Sequence, residues 1–143
     1  MEEAHVFQLY WVYDELFVKP EVWEKIFKPF GVGRGDVLLY KKETVLDNVV
    51  QLIMDVSEVD FDVRGMGFTD CPQCGRHKYK LDSTRGPLPG FVRDPGKPVV
   101  KTKEFVGSGG LASRFIVFSH EVYQVIKENR LNGFLFEPLA EKI

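Results

Sequence analysis

Cysteine is scarce in this chain: 143 residues hold two, Cys71 and Cys74, and histidine occurs three times, at His5, His77 and His120. A structural zinc site needs four ligands, so the cysteines alone cannot build one. Long apolar runs are also missing. None approaches the ~18 residues that cross a bilayer, and the opening "MEEAHVFQLYWVY" begins with acids rather than bases and lacks a small-residue cleavage site. No targeting segment or membrane span is therefore expected. The default is a cytoplasmic chain with reduced cysteines. Glycines at 31, 33 and 35 come without G-K-[ST] or G-x-G-x-x-G, and an expected strand follows them, so no phosphate loop is read here. Serines, histidines and acids stand in no nucleophile-elbow, zincin or kinase context, and the chain is expected not to be an enzyme.

What is present is enough apolar and aromatic residue for a core: 44% hydrophobic and 13% aromatic. The length suits one domain, residues 1–143, with a weak lobe boundary conceivable near 65–70. Net charge is −2 but unevenly placed. Residues 1–75 are acidic. The middle, 76–103, carries eight bases against Asp82 and Asp94. Such asymmetry suits a charged partner.

Along the chain, "HVFQLYWVY" reads as a first strand. Pro20 opens a short helix, "PEVWEKIFK", whose apolar stripe is Val22, Trp23, Ile26 and Phe27, with Trp23 and Phe27 expected in the core. "GVGRGD" reads as a loop, "DVLLYK" and "NVVQLIMDV" as buried strands, and "VDFDV" as a half-exposed strand. Residues 65–110 are punctuated by Gly and Pro and read as loop with short strand pieces. "SRFIVFS" is a strand, and Ser119 caps the helix "HEVYQVIKENR". Gly133, expected at positive φ, stops that helix, and "FLFEPL" is a closing strand. The fold class is α+β: a mostly antiparallel sheet with two short helices and a long Gly/Pro-rich central loop region.

Three features carry candidate chemistry. In Cys71-Pro-Gln-Cys74-Gly75 two thiolates two residues apart reach one Zn²⁺, and His77 is the nearest further ligand, though tight at three residues beyond Cys74. The same spacing fits a redox dithiol, which wants a helix after the first Cys; "GRHKYKLD" reads as a turn into a strand instead. The ligand count favours a metal-free turn, so no cofactor is expected and zinc on Cys71, Cys74 and His77 is the alternative. Asp55, Glu58, Asp60 and Asp62 form an acidic face that could steer a basic protein partner, or be an ordinary wet surface. The basic middle with Tyr79, Phe91 and Phe105 could bind nucleic acid, but a solvated face, or one packed against the acidic half, is the preferred reading.

"CPQCGR", the Gly/Pro-rich stretch, and then "SRFIVFSHEVYQVIKENRLNGFLFEPL" together resemble the C-terminal part of bacterial double-CxxCG-motif immunity proteins, and are similar to related immunity proteins of contact-dependent and polymorphic toxin systems. The likeness spans residues 71–139. Its marks are the strand Ile116–Ser119, the helix face Val122–Ile126, and Leu131-Asn132-Gly133-Phe134-Leu135-Phe136-Glu137-Pro138. It implies a non-enzymatic protein that binds and neutralises a cognate toxin in the producing cell. Full members carry two CxxCG knuckles that together look like a zinc ribbon, and Cys71 and Cys74 correspond to one of them. The expected partner is thus a protein toxin, with no membrane and no nucleic acid, and with homo-oligomerisation open. The alternative is a small zinc-knuckle or nucleic-acid-binding module.

Overall fold

The structure is a computed structural model that describes residues 5–9, 12–39, 41–80, 89–107, 112–134, 136 and 139. The expected α+β class holds, with three small sheets and two helical segments among the described residues.

The first sheet has the order β1-β2-β4-β3 and is antiparallel throughout. Its members are β1 (Val6–Leu9), β2 (Val12–Val18), β3 (Gly33–Leu38) and β4 (Val45–Ile53). The opening apolar run is therefore a hairpin, not one strand: Val6 lies opposite Val18, and Leu9 opposite Val12. No Gly, Pro or Asn marks the reversal, so periodicity alone reads straight through it. "GVGRGD" is also more ordered than expected, since Gly33 to Asp36 belong to β3. The glycines fit there because Ile53 crosses over them. A Cβ on Gly35 would meet its side chain at 3.3 Å, and one on Gly33 at 3.4 Å.

After β2, Pro20 starts a short helix, α1 (Pro20–Val22). It widens into a π-helical turn over Trp23–Phe27, in which the Lys28 amide donates to the Trp23 carbonyl. Lys28–Phe30 form a 3₁₀ turn that ends at Gly31, φ 80°. Phe27 and Ile26 are fully buried, as expected. Trp23 is only half-buried; its Nε1 donates to the Val32 carbonyl at 2.9 Å, and the Arg34 guanidinium sits 5.0 Å from its ring.

The second sheet, β10-β8-β5, joins β5 (Asp55–Val56), β8 (Val99–Lys101) and β10 (Ile116–Phe118). β10 runs antiparallel to β8, and β5 parallel to it. The third, β6-β7-β9, joins β6 (Phe68–Asp70), β7 (His77–Tyr79) and β9 (Phe105–Val106), with β7 and β9 parallel. "VDFDV" does not extend into a strand. It makes one bridge, Phe61 to Phe91, flanked by hydrogen bonds Asp62 to Gly90 and Val92 to Asp60. The alternation still orients Phe61, which is buried edge-on between Phe91 and Phe115.

Ser119 caps α2 (His120–Glu128) by accepting from the Val122 amide at 3.4 Å. Val122 and Ile126 close the main core with Val18, Phe27, Val50, Leu52 and Val99. The helix is not stopped by Gly133. Arg130 adopts the left-handed conformation at φ 52°, donating to the Lys127 carbonyl while Leu131 donates to that of Ile126. That is a Schellman closure, with Arg where Gly usually stands. Gly133 does have positive φ, 93°, but for another reason: the chain there presses against Val6. Of "FLFEPL", residues 135, 137 and 138 lie outside the described ones. Phe134 and Phe136 form no strand and instead stack, 5.5 Å apart, beside Phe118.

Candidate functional site

The CPQCG turn connects β6 to β7, with Asp70 opposite His77 and Phe68 opposite Tyr79. The Cys71 amide donates to the Arg76 carbonyl (2.9 Å) and the Gly75 amide to the Cys71 carbonyl (2.8 Å). Gly75 supplies φ 70°, which folds the chain back under the sulfurs. Cys71 is half-buried and Cys74 exposed, both as free thiols. The Cys71 thiol is drawn down to about 7, first by the Cys74 amide, then by the Cys74 thiol, then by the Gln73 amide, with Lys78 adding a smaller attraction. Hydrogen bonds to sulfur that favour thiolate are what a metal-binding or reactive cysteine requires.

The structure brings Cys71 and Cys74 together. It turns His77 aside: Nδ1 pairs with the Asp70 carboxylate, and the ring packs on Phe68 and Tyr79. The other histidines are placed elsewhere. His5 exchanges hydrogen bonds with Asn132, and the His120 ring leans on Tyr123. Among the described residues no group of three His, Cys, Asp or Glu is arranged to hold a metal. Nor does a helix follow the first cysteine, since β7 does.

The acidic residues meet the basic middle. Asp55 pairs with Lys97 at 2.8 Å, and Asp60 with Lys103. Asp62 takes both the Nε and Nη2 of Arg64, at 2.8 and 2.9 Å. Each partner raises the cation's pKa: Asp62 that of Arg64, Asp55 that of Lys97, Asp60 that of Lys103. Glu58 is exposed. These pairs are open to water and contribute little individually. Together they form a seam in which three of the four expected partner-binding acids already face cations of the same chain.

Sequence reading missed two features. One is a set of charge pairs that tie β2 to later segments of the chain. Glu15 points to the opposite face of β2 from Leu16, where it pairs with Lys101 of β8 and accepts from Gln51 Nε2 at 3.0 Å. The Lys101 side chain is 7% exposed. Asp14, one residue before Glu15 on β2, pairs with Arg114 at 3.2 Å. Each joins segments 86 or 100 residues apart, and nothing local announces that.

The other is the outer edge of the first sheet. β3 is an edge strand, and around it Leu38, Leu39, Val45 and Ile53 are exposed at 53, 43, 52 and 54%. At the hairpin tip Lys41 and Glu43 both take left-handed backbone, at φ 67° and 50°. Non-glycine residues in that region carry strain that tends to collect at functional sites. The signal available in sequence was "VLLY" followed by "KKET", an apolar run ending in a charged tip.

Comparison of the chain with protein-family models, with curated proteins and with solved structures gives no match. No helix among the described residues is long and apolar enough to cross a membrane.

Proposed function

We propose that this chain is a non-enzymatic immunity-type protein that binds a cognate protein toxin and neutralises it by occlusion. The observation that carries the reading is the β3–β4 edge: β3 has no second partner strand among the described residues, Leu38, Leu39 and Val45 are exposed beside the strained, charged tip, and Ile53 is exposed at the far end. Exposed apolar side chains beside charged ones occur at protein interfaces, and an open edge invites a partner strand. The likeness of residues 71–139 to double-CxxCG immunity proteins supports the same reading. Lys97, Lys101 and Lys103 are engaged by acids of the same chain, so fewer bases are free for a phosphate backbone. The test is co-expression and pull-down with toxins encoded beside its gene. Capture that Leu38→Asp abolishes supports the reading, and failure of every neighbouring toxin to bind overturns it.

A second reading, a metal-binding module, is favoured by one observation: the turn closed by the Cys71–Arg76 and Gly75–Cys71 backbone hydrogen bonds carries two free thiols, Cys71 half-buried and Cys74 exposed.

A further inference from the structure

We propose that the Cys71–Cys74 knuckle is half of a tetrathiolate site which two copies of this chain complete, one zinc-like divalent ion being held by both cysteines of each copy. The inference rests on the metal-binding reading and adds where the missing ligands come from; it does not depend on toxin capture.

The hairpin fixes the half-site before any ion arrives. Its ladder pairs Asp70 with His77, the two backbone hydrogen bonds of the Cys71–Arg76 turn close it, and Gly75 at φ 70° bends it. Both cysteines stand in this closed turn as free thiols, Cys71 half-buried and Cys74 exposed. Two thiolates held this way span one edge of a tetrahedron. Thiolate is a soft donor, which selects zinc or cadmium over magnesium or calcium. On binding, each thiol proton leaves to solvent as the sulfur takes the ion, with no change of oxidation state.

Two corners remain open. The chain has no third cysteine. The His77 imidazole is committed to Asp70, and no described His, Asp or Glu joins the two sulfurs as a third ligand. A closed tetrahedral site requires four; the described residues of one chain bring two together, and a second copy presents an identical pair. The surroundings suit that occupant. β6 is the edge of its sheet among the described residues, and Phe68, three residues before Cys71, is 52% exposed with its ring on His77 and Tyr79. A two-fold axis through the ion would bring the two Phe68 rings to the contact, an isologous arrangement.

The experiment titrates zinc into the reduced full chain, then measures metal content after gel filtration and molar mass by light scattering. The expected result is about one zinc per two chains and a mass twice the 16.4 kDa of one chain, both reversed by EDTA. Cobalt in place of zinc should show the thiolate-to-metal charge-transfer band of a sulfur-rich tetrahedral site. Cys71→Ser and Cys74→Ser should each lose metal and dimer, while His77→Ala keeps both. If the serine variants fail to fold, as judged by circular dichroism, EDTA reversal in the wild type carries the test. One zinc per monomer, lost in His77→Ala, would overturn the shared site yet keep the metal-binding reading. No bound zinc would overturn both.

Discussion

Gly133 and Val6 touch so closely that no side chain fits between them: a Cβ on Gly133 would stand 2.7 Å from the Val6 carbonyl oxygen and 2.9 Å from its Cγ1. One residue earlier, the Asn132 amide donates to His5 Nδ1 at 3.1 Å, and the His5 amide donates to Asn132 Oδ1 at 3.0 Å. The segment after α2 is thereby bound to the edge of the first sheet, and Leu131, Phe134 and Phe136 are laid against the core. Gly133→Ala should cost about 2–3 kcal/mol, combining a left-handed backbone with a backbone clash. Urea unfolding measures it. A loss below ~0.5 kcal/mol would show that the contact relaxes freely.

Arg130 offers the opposite test. It is exposed and holds φ 52° in the C-terminal closure of α2. Glycine adopts that conformation without the Cβ penalty, against a larger entropy loss on folding. Arg130→Gly should therefore stabilise by about 0.5–1 kcal/mol in the same unfolding assay, and a destabilisation would show that the Arg side chain contributes more than its backbone costs.

The Lys101–Glu15 pair joins two sheets in a site where Lys101 is nearly inaccessible. Lys101→Ala leaves Glu15 without its cation and should cost about 2–4 kcal/mol. Lys101→Met with Glu15→Leu should recover most of that, since a buried pair replaced by apolar groups is near neutral. If the double variant is as unstable as the single, the charges are stabilising the sheet contact in their own right.

The Cys71 thiol is drawn down to about 7 in the fold, below the ordinary thiol range of about 8.5–9. Its folded pKa is depressed, so its contribution to stability is fully present above pH 9, declines as pH falls, and is gone below pH 7. Alkylation of the metal-free chain should follow a midpoint near 7 at Cys71. Cys74→Ala removes the thiol that bonds to Cys71 and should raise that midpoint. Peptide mapping after timed iodoacetamide treatment reads both values.

Much of the fold was legible where local chemistry settles it. Ser119 announces α2, Pro20 the first helix, and Val22, Ile26 and Phe27 their inward face. What failed to show was non-local or lacked punctuation. The β1–β2 reversal carries no turn residue in its described flanks. Gly33 and Gly35 read as loop because the reason for them, Ile53, lies on another strand. The pairing of Asp55 with Lys97 and of Asp60 with Lys103 bridges about forty residues, and only the charge asymmetry hinted at it. In the knuckle, the cysteine spacing was plain, but the turn of His77 toward Asp70 depends on the hairpin register.

Capture of a protein toxin by the β3–β4 edge is the proposal to be tested. The direct measurement is titration calorimetry of this chain against a catalytically inactive toxin encoded beside its gene, with wild type, Leu38→Asp and Ile53→Lys compared. The expected result is saturable binding by wild type and at least a tenfold loss in each variant, about 1.4 kcal/mol or more, with folding unchanged by circular dichroism. Undiminished binding by both variants, or no binding by wild type, would contradict it.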